Sequence, residues 1–102
     1  MINPSIGTEL KVAVSAEPVG GIHLSEYDFE CDFFVYRNQK ITVRKDDMRK
    51  LDDDNYVALL DSSKLSAGNL LMRMTAHVPD TDFPDGLRTE VVEVDTGIKL
   101  VK

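Results

Sequence analysis

One cysteine, two histidines and two clusters of carboxylates are the side chains in this sequence that could do chemistry, and each makes a demand on its neighbours. Cys31 could serve as a nucleophile only with a proton acceptor, His23 or His77, beside it and a lowered thiol pKa, because the thiolate is the reactive form. Its position argues the other way. Cys31 shares one face of the run Tyr27 to Tyr36 with Tyr27, Phe29, Phe33 and Val35, so the expectation is a buried, inert thiol. No Cys-x-x-Cys or His-x-x-x-His spacing accompanies the histidines, so a zinc site would need ligands gathered from scattered loops. Both histidines are read as facing solvent, His23 in a loop and His77 on the polar face of a strand.

The clusters Asp52-Asp53-Asp54-Asn55 and Asp80-Thr-Asp82-Phe-Pro-Asp85-Gly86 offer the hard oxygen ligands that calcium prefers. The second begins as an EF-hand loop does, but its third acid is displaced by one position and the full loop and flanking helices are missing. Turn and solvation chemistry is therefore expected of both, and no metal or cofactor is assigned. Arg88 is expected to pair with Asp80 or Asp82 through a forked hydrogen bond that fixes the loop's shape. Since long loops often carry function, Asp80, Asp82, Asp85 and Arg88 form a candidate functional loop. No nucleophile with its base, metal set or phosphate loop can be assembled, so no catalytic residue is assigned and an enzyme is not expected.

The elements that must position these residues read as strands. Apolar residues alternate with polar ones in several short runs, while helical spacing is never sustained beyond a turn or so. Leu10, Val12 and Val14 mark a first strand over about 9 to 16, ended by Pro18 and Gly20-Gly21. The run Tyr27 to Tyr36 carries the strongest pattern, and Arg37-Asn38-Gln39 connects it as a hairpin to Ile41 and Val43. Lys45 to Asn55 is highly charged and is read as one helical turn or an irregular crossover.

Strands follow at Tyr56 to Leu60 and Asn69 to Val78, the latter with Leu70, Met72, Met74, Ala76 and Val78 toward the core. Between them Leu65 is read as a loop anchor, and Gly68 as the residue permitting the sharp return. Pro79 to Gly86 is a long loop with Pro84 and Gly86 suited to a type I turn. Leu87 to Val94 and Ile98 to Val101 close the chain. Seven runs at this spacing predict a single all-β domain over 1–102, a seven-strand immunoglobulin-like β-sandwich, with a small β-barrel as the alternative.

Composition narrows the partners. Eighteen acidic against twelve basic residues leave a formal charge of -6, which repels phosphate backbones and anionic membranes, so neither nucleic acid nor membrane is expected as a partner. A lone cysteine forms no internal disulfide and leans toward a reducing compartment. The N-terminal ten residues have no leader-like pattern and no run reaches membrane-spanning length, so the chain is expected in the cytoplasm or a virion.

The segments Tyr27-Asp-Phe-Glu-Cys-Asp-Phe-Phe-Val-Tyr36, Asp54-Asn-Tyr-Val-Ala-Leu-Leu-Asp61, Leu65-Ser-Ala-Gly68 and Val78-Pro-Asp-Thr-Asp-Phe-Pro-Asp-Gly-Leu-Arg88 together resemble small prophage-encoded proteins of Bacteroides-type bacteria. These are phage tail or baseplate accessory proteins with immunoglobulin-like sandwiches. The resemblance implies a non-catalytic structural or protein-interaction module, with a protein partner or self-association. Phe34, Tyr36 and Leu71, apolar on nominally polar strand faces, are the candidate interface. The alternative function is a carbohydrate or cell-surface binding module.

Overall fold

The structure, a computed structural model, describes residues 3–18 and 20–102. The leader reading of the N-terminus involves Met1 and Ile2, which lie outside the described residues. Seven strands form among the described residues: β1 (Glu9–Ser15), β2 (Asp28–Phe34), β3 (Lys40–Arg44), β4 (Arg49–Asp52), β5 (Asn55–Asp61), β6 (Gly68–Pro79) and β7 (Leu87–Leu100). They make two antiparallel sheets, a three-stranded one in the order β1-β5-β4 and a four-stranded one in the order β3-β2-β6-β7. The two ladders remain separate, so the architecture is a sandwich and not a closed barrel.

Alternation does the work the sequence assigned to it. Leu10, Val12 and Val14 of β1, Tyr56, Ala58 and Leu60 of β5, Phe29, Cys31 and Phe33 of β2, and Leu70, Met72, Met74, Ala76 and Val78 of β6 turn inward into one hydrophobic cluster. Short 3-10 turns at Leu24–Glu26, Lys45–Asp47 and Ser62–Lys64 carry the chain between sheets or strands. Leu24 and Leu65 are both buried beneath them, so Leu65 is the anchor expected of it. Gly68 has φ +141°, and a Cβ there would lie 2.6 Å from Val35 Cγ1, so the start of β6 requires glycine for both backbone angle and space.

Seven strands emerge through two corrections that cancel. The charged stretch after Lys45 holds not only a turn but also the fully exposed strand β4, which pairs with β5. Nothing apolar alternates in Arg-Lys-Leu-Asp, so burial left no trace in its sequence. Conversely, the runs Leu87–Val94 and Ile98–Val101 are one strand. Asp95-Thr-Gly97 looked like a turn but is the site of a register shift opposite Asn69 to Leu71, with Gly97 at φ +79°.

Candidate interface

Cys31 lies on the inner face of β2 and is fully buried; burial, with the nearby Asp32 and Glu30 carboxylates, pushes its thiol up to about 12. Its suggested base His77 is on the outer face of the same sheet, opposite Asp28. The other, His23, has its Nδ1 3.0 Å from both carboxylate oxygens of Asp54. The three groups are therefore not brought together.

The first acidic cluster is held by partners within the chain. Asp52 accepts hydrogen bonds from the Asp54 backbone N–H and the Asn55 side chain, which hold its carboxyl below the usual range. Asp53 accepts from Ser25 Oγ and faces Lys50, and its pKa is lowered by those contacts, Lys50 first. Asp54 receives His23 and the Leu24 backbone N–H. The cluster clips the 3-10 turn at Leu24–Glu26 to the β4-β5 hairpin, and Lys45 completes the clip by donating to the carbonyls of Ser25 and Tyr27. Among the described residues, no group of three or more His, Cys, Asp or Glu converges as a metal site.

The second cluster builds the β6-β7 turn. Asp80 N–H donates to Gly86 O, Phe83 N–H to Asp80 O and Gly86 N–H to Phe83 O, the last closing the turn expected around Pro84. Asp80 Oδ1 accepts from Asp82 N–H and Asp85 Oδ1 from Leu87 N–H. Arg88 does reach Asp80, at 2.8 Å, but it does not fork onto one carboxylate: its second terminal nitrogen pairs with Glu90 at 2.9 Å. Asp82 stays exposed in the loop.

The candidate interface residues divide. Phe34 is only 3% exposed, and the guanidinium of Arg37 lies over its ring at 5.3 Å. Leu71 stands directly opposite Phe34 across the β2-β6 ladder and is half-buried. Arg37 is itself fixed by two hydrogen bonds to Glu93 at 3.0 and 3.1 Å. The apolar outer patch is thus closed by the chain's own side chains, which corrects Phe34 as a contact residue. Tyr36 alone of the three is open, at the β2-β3 turn.

What is open lies elsewhere. The exposed large apolar side chains among the described residues are Tyr36, Leu51, Leu59, Phe83, Leu87, Val91, Val92 and Val94, and the last five lie on the β6-β7 turn and β7. Val92 and Val94 are 53% and 41% exposed although they stand opposite Met74 and Met72, on the inner face of the sheet. The reason is width: three strands face four, and the narrower sheet ends at β1. A groove of about 320 Å³ runs between β1 and β7, lined among others by Lys11, Ala13, Met72, Val94 and Ile98. On the outer face Val91, 49% exposed, adds to the same stretch.

Among the described residues the β7 edge is also free along its backbone, since β7 ends the strand order and its far side is met near the C-terminus, where Ser5 bridges Val101. The signal for this site was present in the sequence. Val91-Val92 interrupts the alternation, and each face of Leu87 to Val94 mixes apolar with charged residues, as expected of a strand covered on neither face. No protein-family model, curated protein or solved structure matches the chain.

Proposed function

We propose that this chain is a non-catalytic protein-interaction module that engages its partner through β7 and the turn leading into it. One observation carries the reading: among the described residues, five of the eight exposed large apolar side chains fall between Phe83 and Val94, on the β6-β7 turn and an edge strand whose outer side has no neighbouring strand there. The buried Cys31, the separated histidines and the internally paired carboxylates support a non-catalytic role.

The connectivity supports an immunoglobulin-like reading of the sandwich. β1-β5-β4 corresponds to strands B, E and D, and β3-β2-β6-β7 to C′, C, F and G, so that the β6-β7 turn is the F–G loop of that arrangement. Among the described residues the first strand of the usual set is represented by the bridge from Ser5 to Val101. A module of this build suits assembly into a larger particle, and a phage tail or baseplate is the setting we propose.

Site-specific photo-crosslinking tests the reading. A crosslinker placed at Val92 in the full chain, in extract of its native host, should give one discrete adduct that a crosslinker at Leu59, exposed on the other sheet, does not. Equal labelling from both positions, or no adduct at Val92, overturns it.

A further inference from the structure

We propose that the free edge of β7 takes up an extended segment of another protein in which apolar residues alternate with lysine or arginine, adding it to the four-stranded sheet as a fifth strand. The inference rests on the reading of β7 as the contact surface and narrows the partner to one chemistry.

The backbone makes the first demand. From Leu87 to Thr96 the outward N–H and C=O groups of β7 lack a neighbouring strand among the described residues, whose one contact along this edge is the bridge from Ser5 to Val101. An extended chain is the form that satisfies such a row at a strand spacing of about 4.8 Å.

Side chains make the second demand. The inner face presents Glu90, Val92 and Val94 along this edge, and the outer face presents Val91, Glu93 and Asp95. A strand laid beside Val92 to Asp95 therefore meets valine and carboxylate in strict alternation, and its complement is apolar and basic in the same alternation. The groove beside β1 gives the inward apolar side chains a seat on Met72 and Val94.

Charge decides against a second copy. Between Arg88 and Lys99 the strand carries Glu90, Glu93 and Asp95 and no cation, within a chain of net charge -6. Pairing β7 with itself would set that acidic stretch against its own image, with like charges opposite or diagonal across the new ladder. Arg37 and Arg88 approach Glu93 and Glu90 from within the chain, yet both carboxylates stay more than a third exposed. The same carboxylates that keep two copies apart attract a cationic strand.

The test is a titration of the isotope-labelled full chain with a short peptide of alternating lysine and valine, read by amide hydrogen exchange and by affinity. Binding should slow exchange of the outward-facing amides of residues 89–96 by roughly tenfold or more, a mark that diffuse charge attraction does not leave. Replacing the peptide's lysines by glutamate, its valines by serine, or Val92 and Val94 of the chain by Asn should each weaken binding by roughly tenfold, while Leu59→Asn should not. The exchange map of the unaltered chain reads the site directly, so the outcome stands even if the double variant folds poorly.

The proposal is overturned by absent binding, by binding without protection of β7, by an equally strong glutamate peptide, or by a free chain that sediments as a dimer with its β7 edge already protected. A native crosslink at Val92 alongside a failed lysine-valine titration refutes only the partner's chemistry. Absence of that crosslink refutes the surface as well.

Discussion

Two apolar features sit on the same four-stranded sheet and meet opposite fates. Phe34, on the outer face of β2 with Leu71 opposite it on β6, is roofed by Arg37, whose guanidinium is tied to Glu93. Val91, Val92 and Val94 of β7, the next strand over, have no such roof. The difference is reach. Arg37 leaves the β2-β3 turn with a side chain long enough to lie across the sheet and cover a ring with its apolar stem and flat head. β7 is an edge strand, and beyond it there is, among the described residues, neither a neighbouring strand nor an opposing one from the narrower sheet.

The sharpest way to break this comparison is to truncate one residue from each feature. Phe34→Ala should lower stability by about 3–5 kcal/mol, as expected for a buried aromatic leaving a cavity beneath Arg37. Val92→Ala, on an open site, should stay within about 0.5 kcal/mol. Urea unfolding of both variants reads the contrast, and comparable losses would remove it.

Closure elsewhere on the sandwich relies on small residues and should rank next. Ser62 is fully buried; its hydroxyl donates to Thr8 O and accepts from Gly7 N–H, tying the segment before β1 to the turn after β5. Ser62→Ala leaves Gly7 N–H without its partner, while Thr8 O keeps the Ser62 backbone N–H, and should lower stability by about 1–3 kcal/mol. Gly68→Ala drives a Cβ into Val35 at a backbone angle that other residues avoid, and should fall in the same range of about 1–3 kcal/mol. A chemical denaturation midpoint unmoved in either variant would contradict the packing described.

How far the sequence disclosed these features follows from what each depends on. The inward faces of β1, β2, β5 and β6 were legible because burial on one side of a strand writes itself as alternation. β4 was not, since all its residues are exposed and it is held by its ladder with β5 alone. Nor was the fate of Phe34, because a ring on a nominally polar face reads the same whether a partner or an arginine three residues later covers it. The turn hydrogen bonds of the acidic clusters follow from local composition, but specific partners such as His23 for Asp54 and Ser25 for Asp53 are about thirty residues away and depend on the fold. The free edge of β7 was hidden as well, because Asp95-Thr-Gly97 has turn composition and divides in sequence what is one strand in the fold, although its mixed faces are visible.

Removing the roof should make the first feature resemble the second. Arg37→Ala forfeits a cation-π contact and an exposed ion pair, and should lower stability by about 1 kcal/mol while exposing the Phe34 ring. A solvatochromic dye should bind this variant more than the unaltered chain, and the gain should vanish when Phe34→Ser is added. Unchanged dye binding would mean that Leu71 and its neighbours, not Arg37, keep the ring dry.

The smallest effect distinguishes a permanent closure from a titratable one. The closure over Phe34 rests on a guanidinium, but the clip at the 3-10 turn over Leu24 uses the imidazole of His23, whose pKa is raised above its ordinary 6.5 by the hydrogen bond and charge of Asp54, with Glu26 and Asp53 adding in the same sense. A group whose folded pKa lies above its unfolded value binds more protons when folded. Its contribution is therefore complete below about pH 6.5 and fades as pH rises through the folded value. Urea midpoints of the unaltered chain and His23→Gln should consequently converge between slightly acidic and slightly alkaline buffer, with the unaltered chain ahead only on the acidic side. Because the ring is solvent-exposed the difference should be slight, and a proton NMR titration gives the firmer reading: the His23 ring should titrate above 6.5 and return toward it in Asp54→Asn. A ring that titrates at the same pH in both would detach His23 from the clip and leave Ser25, Asp53 and Lys45 to hold the turn.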